Sequence, residues 1–177
     1  MQAMEEHDPA GSYPAITVSR PSCSGLPIDR AAFDEIIDVR SPLEYLEDHI
    51  PGAINLPVLD DAQRAEVGTD FQQVGSFEAK RSGAALITAN ISRHLAGHFA
   101  DKPRDYRPLI YCWRGGQRSQ SLAIILAAIG WRTHVLEGGY KAYRKSVRSG
   151  MEELPARFRW VAINGLTGSG KTRILTR

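Results

Sequence analysis

The chain has 177 residues, of which 42% are hydrophobic and 24% are charged, and its formal net charge is +2. This composition is that of a globular domain with a core, and it excludes a highly charged disordered chain. No segment is long and apolar enough to span a membrane, and the acidic N-terminus lacks the basic and apolar regions of a signal peptide. The two distant cysteines, Cys23 and Cys112, do not have the pattern of a disulfide framework. We therefore expect a cytoplasmic protein without membrane contacts.

Pro, Ser and Gly are frequent in residues 1–28, which we interpret as an N-terminal extension with a short strand near AITVS and a loop at PSCSGLP. EIIDVRS then predicts a buried strand. The next helix begins at SPLEY, where Ser41, Pro42 and Glu44 have the pattern of a capping box. GAINLP predicts a second short strand, and residues 59–67 and 76–101 predict two helices.

The second half of the chain alternates apolar strands with helical segments. PLIYC and THVLEGG predict strands, and YKAYRKSVRSG predicts a last helix. Residues 119–129 predict a helix that is apolar nearly all round, so we expect it to be buried. Strands that alternate with helices indicate a parallel α/β sheet with helices on both faces. We assign this domain to residues 29–150.

The segment YCWRGGQRS places Cys112 at the end of a predicted strand and before a helix. Ligands of parallel α/β sheets bind beyond the carboxyl ends of the strands, where loop N–H groups and the helix dipole favour negative charge. Gly115 and Gly116 allow the positive φ angles of a tight cradle. Arg114 and Arg118 add positive charge. These effects favour the thiolate, so we predict a nucleophilic Cys112 rather than an inert buried cysteine.

Three segments in this order, DVRSPLEYLEDHIPGAINLP, YCWRGGQRS and VLEGGYKAYR, resemble the rhodanese homology domain over about residues 34–148. The resemblance implies a rhodanese-like sheet and places Cys112 in the cysteine loop of that domain. The segment after the cysteine is then an anion-binding loop, formed by Trp113, Arg114, Gly115, Gly116, Gln117, Arg118 and Ser119.

A narrower resemblance comes from RAEVGTDFQQVG, the loop CWRGGQRS and the downstream NGLTGSGKT, which together resemble the tRNA 2-selenouridine synthase family. Members join a rhodanese domain to a P-loop domain. The resemblance implies that the sulfur of wobble 2-thiouridine in tRNA is exchanged for selenium, through a geranylated intermediate. It implies selenophosphate and geranyl diphosphate as co-substrates, tRNA and a selenophosphate supplier as partners, and no tightly bound cofactor. Cys112 would carry selenium as a perselenide or assist the exchange as a nucleophile.

GLTGSGKT, residues 165–172, fits the P-loop pattern and follows the strand-like WVAIN. In a complete domain Lys171 would contact the terminal phosphates and Thr172 would bind Mg²⁺. Only five residues follow Thr172. We therefore expect residues 151–177 to be a linker and the start of a truncated domain, which neither binds nucleotide tightly nor completes tRNA selenation. The phosphate-binding residues of a complete domain would be Gly165, Gly168, Ser169, Gly170, Lys171 and Thr172.

The spacing of Cys112 and Arg118, Cys-X5-Arg-Ser, leaves a second class of enzyme open. It resembles the loop of protein tyrosine phosphatases, including those of rhodanese fold, in which the cysteine attacks phosphorus and the arginine binds the oxygens. A phosphatase or arsenate reductase of this kind needs a general acid, for which Asp48 and Glu137 are the candidates. The Trp-Arg-Gly-Gly residues of the loop and the downstream P-loop favour selenium chemistry.

A stand-alone sulfurtransferase, or a non-catalytic sulfur-carrier or RNA-binding module, is a third class. Basic residues three and four apart on the last predicted helix share one face and suit tRNA phosphates, although an ordinary solvated face explains them equally well. The candidate tRNA contacts are Lys141, Arg144, Lys145 and Arg148. His94 and His98 are four apart on a helix, but without a third ligand nearby we predict no metal site. The sequence leaves the oligomeric state open.

Overall fold

The computed structural model describes residues 22–23, 27–154, 159, 164–170 and 172–173, so the predicted strand near AITVS and most of WVAIN lie outside the described residues. The chain forms two compact units, Met1–Tyr143 and Arg144–Arg177. All strands of the described sheet belong to the first unit. Among the described residues, no helix is long and apolar enough to cross a membrane.

Five strands pair in parallel to form the sheet of the first unit. They are β1 (Ser22–Cys23), β2 (Glu35–Asp38), β3 (Ile54–Asn55), β4 (Pro108–Tyr111) and β5 (His134–Leu136). Their order across the sheet is β1–β5–β4–β2–β3. β4 is the middle strand, so the residue that follows it lies between the carboxyl ends of β5 and β2. The predicted parallel α/β class is confirmed.

Helices connect the strands in the predicted order. They are α1 (Pro42–Glu47), α2 (Asp61–Gln73), α3 (Ser76–Ala96), α4 (Gln117–Ile129) and α5 (Gly139–Glu153). α1 begins with the predicted capping box. α2 is longer than the predicted helix over 59–67, because it starts at a capping box of Asp60 with Gln63 and continues through Gly68. α3 ends before the predicted residue 101.

Side chains of the strands alternate between two apolar clusters, one on each face of the sheet. Ile37 and Ile110 belong to a cluster that also contains Leu122 and Leu126 of α4 and residues of α3. Ile36 and Leu109 belong to a second cluster that contains Tyr140 of α5. Helices therefore cover both faces, as the sequence predicts.

The expectation that PSCSGLP is a loop is wrong for two of its residues. Ser22 and Cys23 pair in parallel with Val135 and Leu136 and form the edge strand β1. A short polar segment gives little strand signal by itself. It forms a strand here because the outer edge of β5 offers backbone groups that need hydrogen-bond partners.

The expectation that α4 is buried all round is also wrong. Leu122 and Leu126 are fully buried, but Ile124 and Ile129 are 41% and 54% exposed. A helix that lies on one face of a sheet buries one stripe of its surface. The apolar residues on the opposite stripe of α4 therefore face outward, toward the cavity described below or toward solvent.

A buried ion pair between Asp38 and Arg40 closes the carboxyl end of β2. The two side chains are 0% and 2% exposed, and Arg40 Nη2 lies 2.6 Å from Asp38 Oδ2. Arg40 Nη2 also donates to the Asp48 carbonyl at 2.6 Å, and the guanidinium carbon lies 4.2 Å from the ring centroid of Tyr140. The pair links the strand end to the segment after α1.

Replacing Asp38 by Asn should destabilise the protein strongly, since the charge of Arg40 would stay buried without its counter-ion. Breaking a buried pair in this way costs about 3–5 kcal/mol. Urea unfolding of Asp38→Asn and the wild type measures the loss. The matched control is Glu78→Gln, which breaks the exposed pair of Glu78 with Arg81 and should cost much less. Equal losses in the two variants would contradict this role of the buried pair.

Candidate active site

Cys112 directly follows the middle strand β4 and is 3% exposed. A short loop leads from it to α4, which begins at Gln117 rather than at the predicted Ser119. β2 and β5 flank β4, so the thiol lies at the carboxyl edge of the sheet, where ligands of parallel α/β proteins bind.

The sulfur of Cys112 is held by groups at the N-terminus of α4. Ser119 Oγ lies 3.2 Å from Sγ, and the Gly116 N–H donates to Sγ at 3.3 Å. Ser119 is fully buried, and its hydroxyl also lies 3.1 Å from the Gly116 carbonyl oxygen. A hydroxyl has one proton, so Ser119 donates either to that carbonyl or to the sulfur. A thiolate, which has no proton of its own, favours donation to the sulfur.

The surroundings of Cys112 lower its pKa below the ordinary value. Burial acts in the opposite direction and raises the pKa. The hydrogen bond from the Ser119 hydroxyl, the N–H groups of Ser119 and Arg114 and the charge of Arg118 outweigh burial, because all of them stabilise the charged form. A lower pKa increases the thiolate fraction near neutral pH, and the thiolate is the nucleophilic form.

The turn between β5 and α5 packs directly against the cysteine loop. The Tyr140 N–H donates to the Cys112 carbonyl at 2.9 Å, and the Lys141 N–H donates to the Trp113 carbonyl at 3.0 Å. Gly139 has a φ of +58°, and a Cβ there would overlap the Cys112 carbonyl oxygen and lie 2.6 Å from the Gly115 nitrogen. Glycine alone fits this contact. The Glu-Gly-Gly segment thus fixes the position of the loop.

The two glycines of the loop have different conformations. Gly115 has a φ of +67°, and a Cβ there would lie 2.7 Å from the Leu136 carbonyl oxygen. Gly116 has a φ of −94° and is the N-cap of α4, so the positive φ predicted for it is wrong. Its contribution is the N–H that reaches Cys112, and a side chain at this position would meet no atom within 4 Å.

The two arginines of the loop have different settings. Arg114 is exposed, whereas Arg118 is 16% exposed and pairs with Glu44 of α1. Arg118 Nη1 lies 2.6 Å from Oε2 of Glu44, and Nη2 lies 3.3 Å from Oε1. The sequence pattern assigns Glu44 only to the helix cap. Its contact with the loop spans 74 residues and has no local signature.

A cavity of about 370 Å³ opens beside the loop, between α2, α3 and α4. Gln117 and Arg118 line it on the side of the loop, and Val67, Phe71 and Ile124 are among its apolar residues. Its size falls within the range of small-molecule pockets. The sequence gives no signal for this cavity, because its lining comes from three helices that are separate in the chain.

The other predicted site residues lie outside the cysteine loop. The four candidate tRNA contacts, Lys141, Arg144, Lys145 and Arg148, are exposed on α5. Gly168 and Gly170 have positive φ angles of 84° and 78°. Lys171 lies outside the described residues, so the P-loop stays a prediction. The described members of the predicted P-loop are exposed; they are Gly165, Gly168, Ser169, Gly170 and Thr172.

The candidate general acids of a phosphatase, Asp48 and Glu137, are both exposed. His94 and His98 have different partners: the first contacts the Pro57 carbonyl at 2.9 Å, and the second contacts the Glu35 carboxylate at 2.7 Å. In the part of the chain that the structure describes, no cluster of three or more His, Cys, Asp or Glu residues could hold a metal ion.

Ser119→Ala should raise the pKa of Cys112 by about one unit, because the thiolate loses a buried hydrogen bond. The rate of iodoacetamide alkylation, measured against pH, reports this pKa. The control is Ser121→Ala on the same helix, which removes a hydroxyl that donates to the Gln117 carbonyl and should leave the pKa unchanged. A wild-type pKa at or above the free value of about 8.5 would refute the predicted thiolate.

Gly139→Ala should displace the cysteine loop, since the new methyl group meets the Cys112 carbonyl and the backbone becomes strained. Left-handed backbone alone costs roughly 1–2 kcal/mol for a non-glycine residue. We expect lower stability in urea and slower alkylation of Cys112. Gly150→Ala on the same helix is the control, because nothing lies within 4 Å of a Cβ there. Unchanged alkylation in Gly139→Ala would show that the turn does not fix the loop.

Comparison with known proteins places this geometry in a family. Residues 26–146 match the rhodanese-like domain. A tRNA 2-selenouridine synthase from Nitrosomonas europaea is 36% identical over 79% of this chain, and one from Cupriavidus necator is 38% identical over 79%. The chain spans 37% and 38% of the length of these two relatives.

A solved structure shows the same arrangement. The N-terminal domain of a Clostridium difficile 630 protein described as ATP/GTP binding superposes with a TM-score of 0.60 and is 36% identical. The match covers 73% of this chain and 98% of that domain.

These comparisons confirm the resemblance that the cysteine loop and its flanking motifs predict. This chain belongs to the rhodanese-like domain family and is similar to the tRNA 2-selenouridine synthases.

Proposed function

We propose that this chain carries the cysteine-bearing domain of a tRNA 2-selenouridine synthase. The proposed reaction replaces the sulfur of wobble 2-thiouridine by selenium from selenophosphate, through an S-geranylated intermediate made with geranyl diphosphate. The main observation behind this proposal is the thiol of Cys112, which contacts the Ser119 hydroxyl and the Gly116 N–H. It lies in a domain that is similar to proteins named tRNA 2-selenouridine synthase. A cytoplasmic location follows from the proposed tRNA substrate.

Cys112 is the proposed nucleophile of the exchange. Its thiolate adds to C2 of the S-geranylated base, and geranylthiol leaves. Selenium of selenophosphate then displaces Cys112 from C2, and hydrolysis releases the phosphorus as phosphate. No oxidant is needed, because selenium enters at the oxidation level of selenide. The N–H groups at the start of α4 stabilise the thiolate each time it is released.

Two features of the structure besides the thiol are consistent with tRNA and a geranyl group as the proposed substrates. α5 begins at the cysteine loop, where the Lys141 N–H donates to the Trp113 carbonyl, and its exposed basic residues suit tRNA phosphates. The cavity beside Gln117 and Arg118 has apolar residues in its lining, Val67, Phe71 and Ile124 among them, and these suit the geranyl group of the intermediate.

A P-loop domain after α5 is part of the proposal. The pattern GLTGSGKT supports it. So does the description of the Clostridium difficile protein as ATP/GTP binding, since the part that matches this chain is that protein's N-terminal domain. In such a domain Lys171 would contact the terminal phosphates, and Thr172 would help to hold Mg²⁺.

A Cys-X5-Arg phosphatase is the second candidate, and the spacing of Cys112 and Arg118 favours it. A phosphatase of this type uses the arginine to bind the oxygens of the phosphoryl group. Both terminal nitrogens of Arg118 are bonded to Glu44, which leaves fewer donors for those oxygens.

Incubation with thiosulfate should convert Cys112 to a persulfide. The thiolate attacks the outer sulfur, a new S–S bond forms, the S–S bond of thiosulfate breaks, and sulfite leaves with the electron pair. Mass spectrometry of the intact protein should show the addition of one sulfur atom, and cyanide should remove it as thiocyanate. Cys112→Ser should show no addition, and Cys23→Ser should behave as the wild type.

Hydrolysis of an aryl phosphate, measured with the same samples, separates the two candidates. We expect no turnover above that of Cys112→Ser. Brisk turnover that depends on Cys112, together with no persulfide, would reject the proposed function in favour of the phosphatase.

A further inference from the structure

We propose that Glu44 is a positioning residue of the active site, which holds the guanidinium of Arg118 so that its positive charge stays beside Cys112. The proposal rests on the proposed function only in taking Cys112 as the reacting group. Glu44 lies on the helix after β2, and Arg118 lies on the helix after β4. β2 and β4 are neighbours, so the pair joins two helices that start at the same edge of the sheet.

The geometry of the pair is that of a two-point contact. Arg118 Nη1 and Nη2 lie 2.6 Å and 3.3 Å from the two carboxylate oxygens of Glu44. The side chains are 16% and 25% exposed, so water and salt screen the pair less than they screen a surface pair. Burial raises the pKa of Glu44. The hydrogen bond and charge of Arg118 and the hydrogen bond from the Ser41 N–H outweigh burial, so the net pKa is below the ordinary value and the carboxylate is ionised at neutral pH.

Glu44 is itself fixed, and this allows it to fix Arg118. Its Oε2 accepts the Ser41 N–H at 3.1 Å in the capping box of α1. Ser41 is buried and follows Arg40, whose ion pair with Asp38 closes the end of β2. An arginine side chain loses much rotamer entropy when it is held in one position, so it stays there only if bonds hold it. Glu44 supplies two such bonds.

The charges of the pair act on Cys112 in opposite directions. The positive charge of Arg118 favours the thiolate, and it is one of the causes of the lowered pKa. The negative charge of Glu44 by itself disfavours the thiolate. If Glu44 acted only as a nearby charge, its neutralisation would lower the pKa of Cys112. If Glu44 positions Arg118, its neutralisation by Gln removes the charge and one oxygen of the two-point contact, which loosens the guanidinium and raises that pKa.

Glu44→Gln separates these two effects. The Gln side chain keeps an oxygen for the Ser41 N–H, and capping boxes accept Gln as well as Glu, so the cap of α1 is retained. We expect the alkylation profile of Cys112 to move to higher pH by about half a unit to one unit. Below the pKa, this shift corresponds to alkylation that is about threefold to tenfold slower. Arg118→Gln should give a shift in the same direction, and the double variant should show no further rise.

The matched control is Glu47→Gln, which removes the same charge from an exposed residue of the same helix and should leave the profile unchanged. Circular dichroism checks that each variant is folded. A folded Glu44→Gln with a lower or unchanged pKa would overturn the proposal. If Glu44→Gln does not fold, Arg118→Gln tests the proposal instead. An unchanged alkylation profile in Arg118→Gln would mean that the charge of Arg118 does not act on Cys112, and it would overturn the proposal. The proposed function is tested separately, since Cys112-dependent hydrolysis of an aryl phosphate without a persulfide would reject it and leave these pKa comparisons valid.

Discussion

The close contact between the β5–α5 turn and the cysteine loop is the constraint on which the active site depends. Gly139 brings its backbone so near to the Cys112 carbonyl that no Cβ fits between them, and the Tyr140 N–H donates to the same carbonyl. With the carbonyl held on this side, the chain turns through Gly115 and presents the Gly116 N–H and the Ser119 hydroxyl to the sulfur. The thiol of Cys112 is thus positioned largely by backbone groups.

Two ion pairs at the same edge of the sheet have different physical effects. The pair of Asp38 and Arg40 is buried and joins a strand end to the segment after α1, so its loss mainly costs stability. The pair of Glu44 and Arg118 is partly exposed and lies at the start of α4, beside the thiol. Its contribution to stability is smaller, and its main effect is on the electrostatic potential at Cys112.

The start of α4 explains why the thiol of Cys112 lies among N–H donors. In this rhodanese-like domain, N–H groups and the charge of Arg118 lower the pKa of the thiol that follows β4. Ile124 on the exposed stripe of α4 lines a cavity that also reaches Gln117 and Arg118 at the start of the same helix. Relatives named tRNA 2-selenouridine synthase are longer, and this chain spans 37% to 38% of the two compared. The proposed selenation therefore draws on more protein than the domain described.

The sequence by itself determined the parallel α/β class, because the alternation of apolar strands with helical segments is a local periodic signal. It also determined the cap of α1 and the place of Cys112 between a strand and a helix, since caps and strand ends leave residue patterns within a few positions. Only the tertiary structure decided that Glu44 contacts Arg118, 74 residues away, and that Ser22–Cys23 becomes an edge strand. Such contacts depend on which strand edges and helix ends come together after folding, and no local pattern records that outcome.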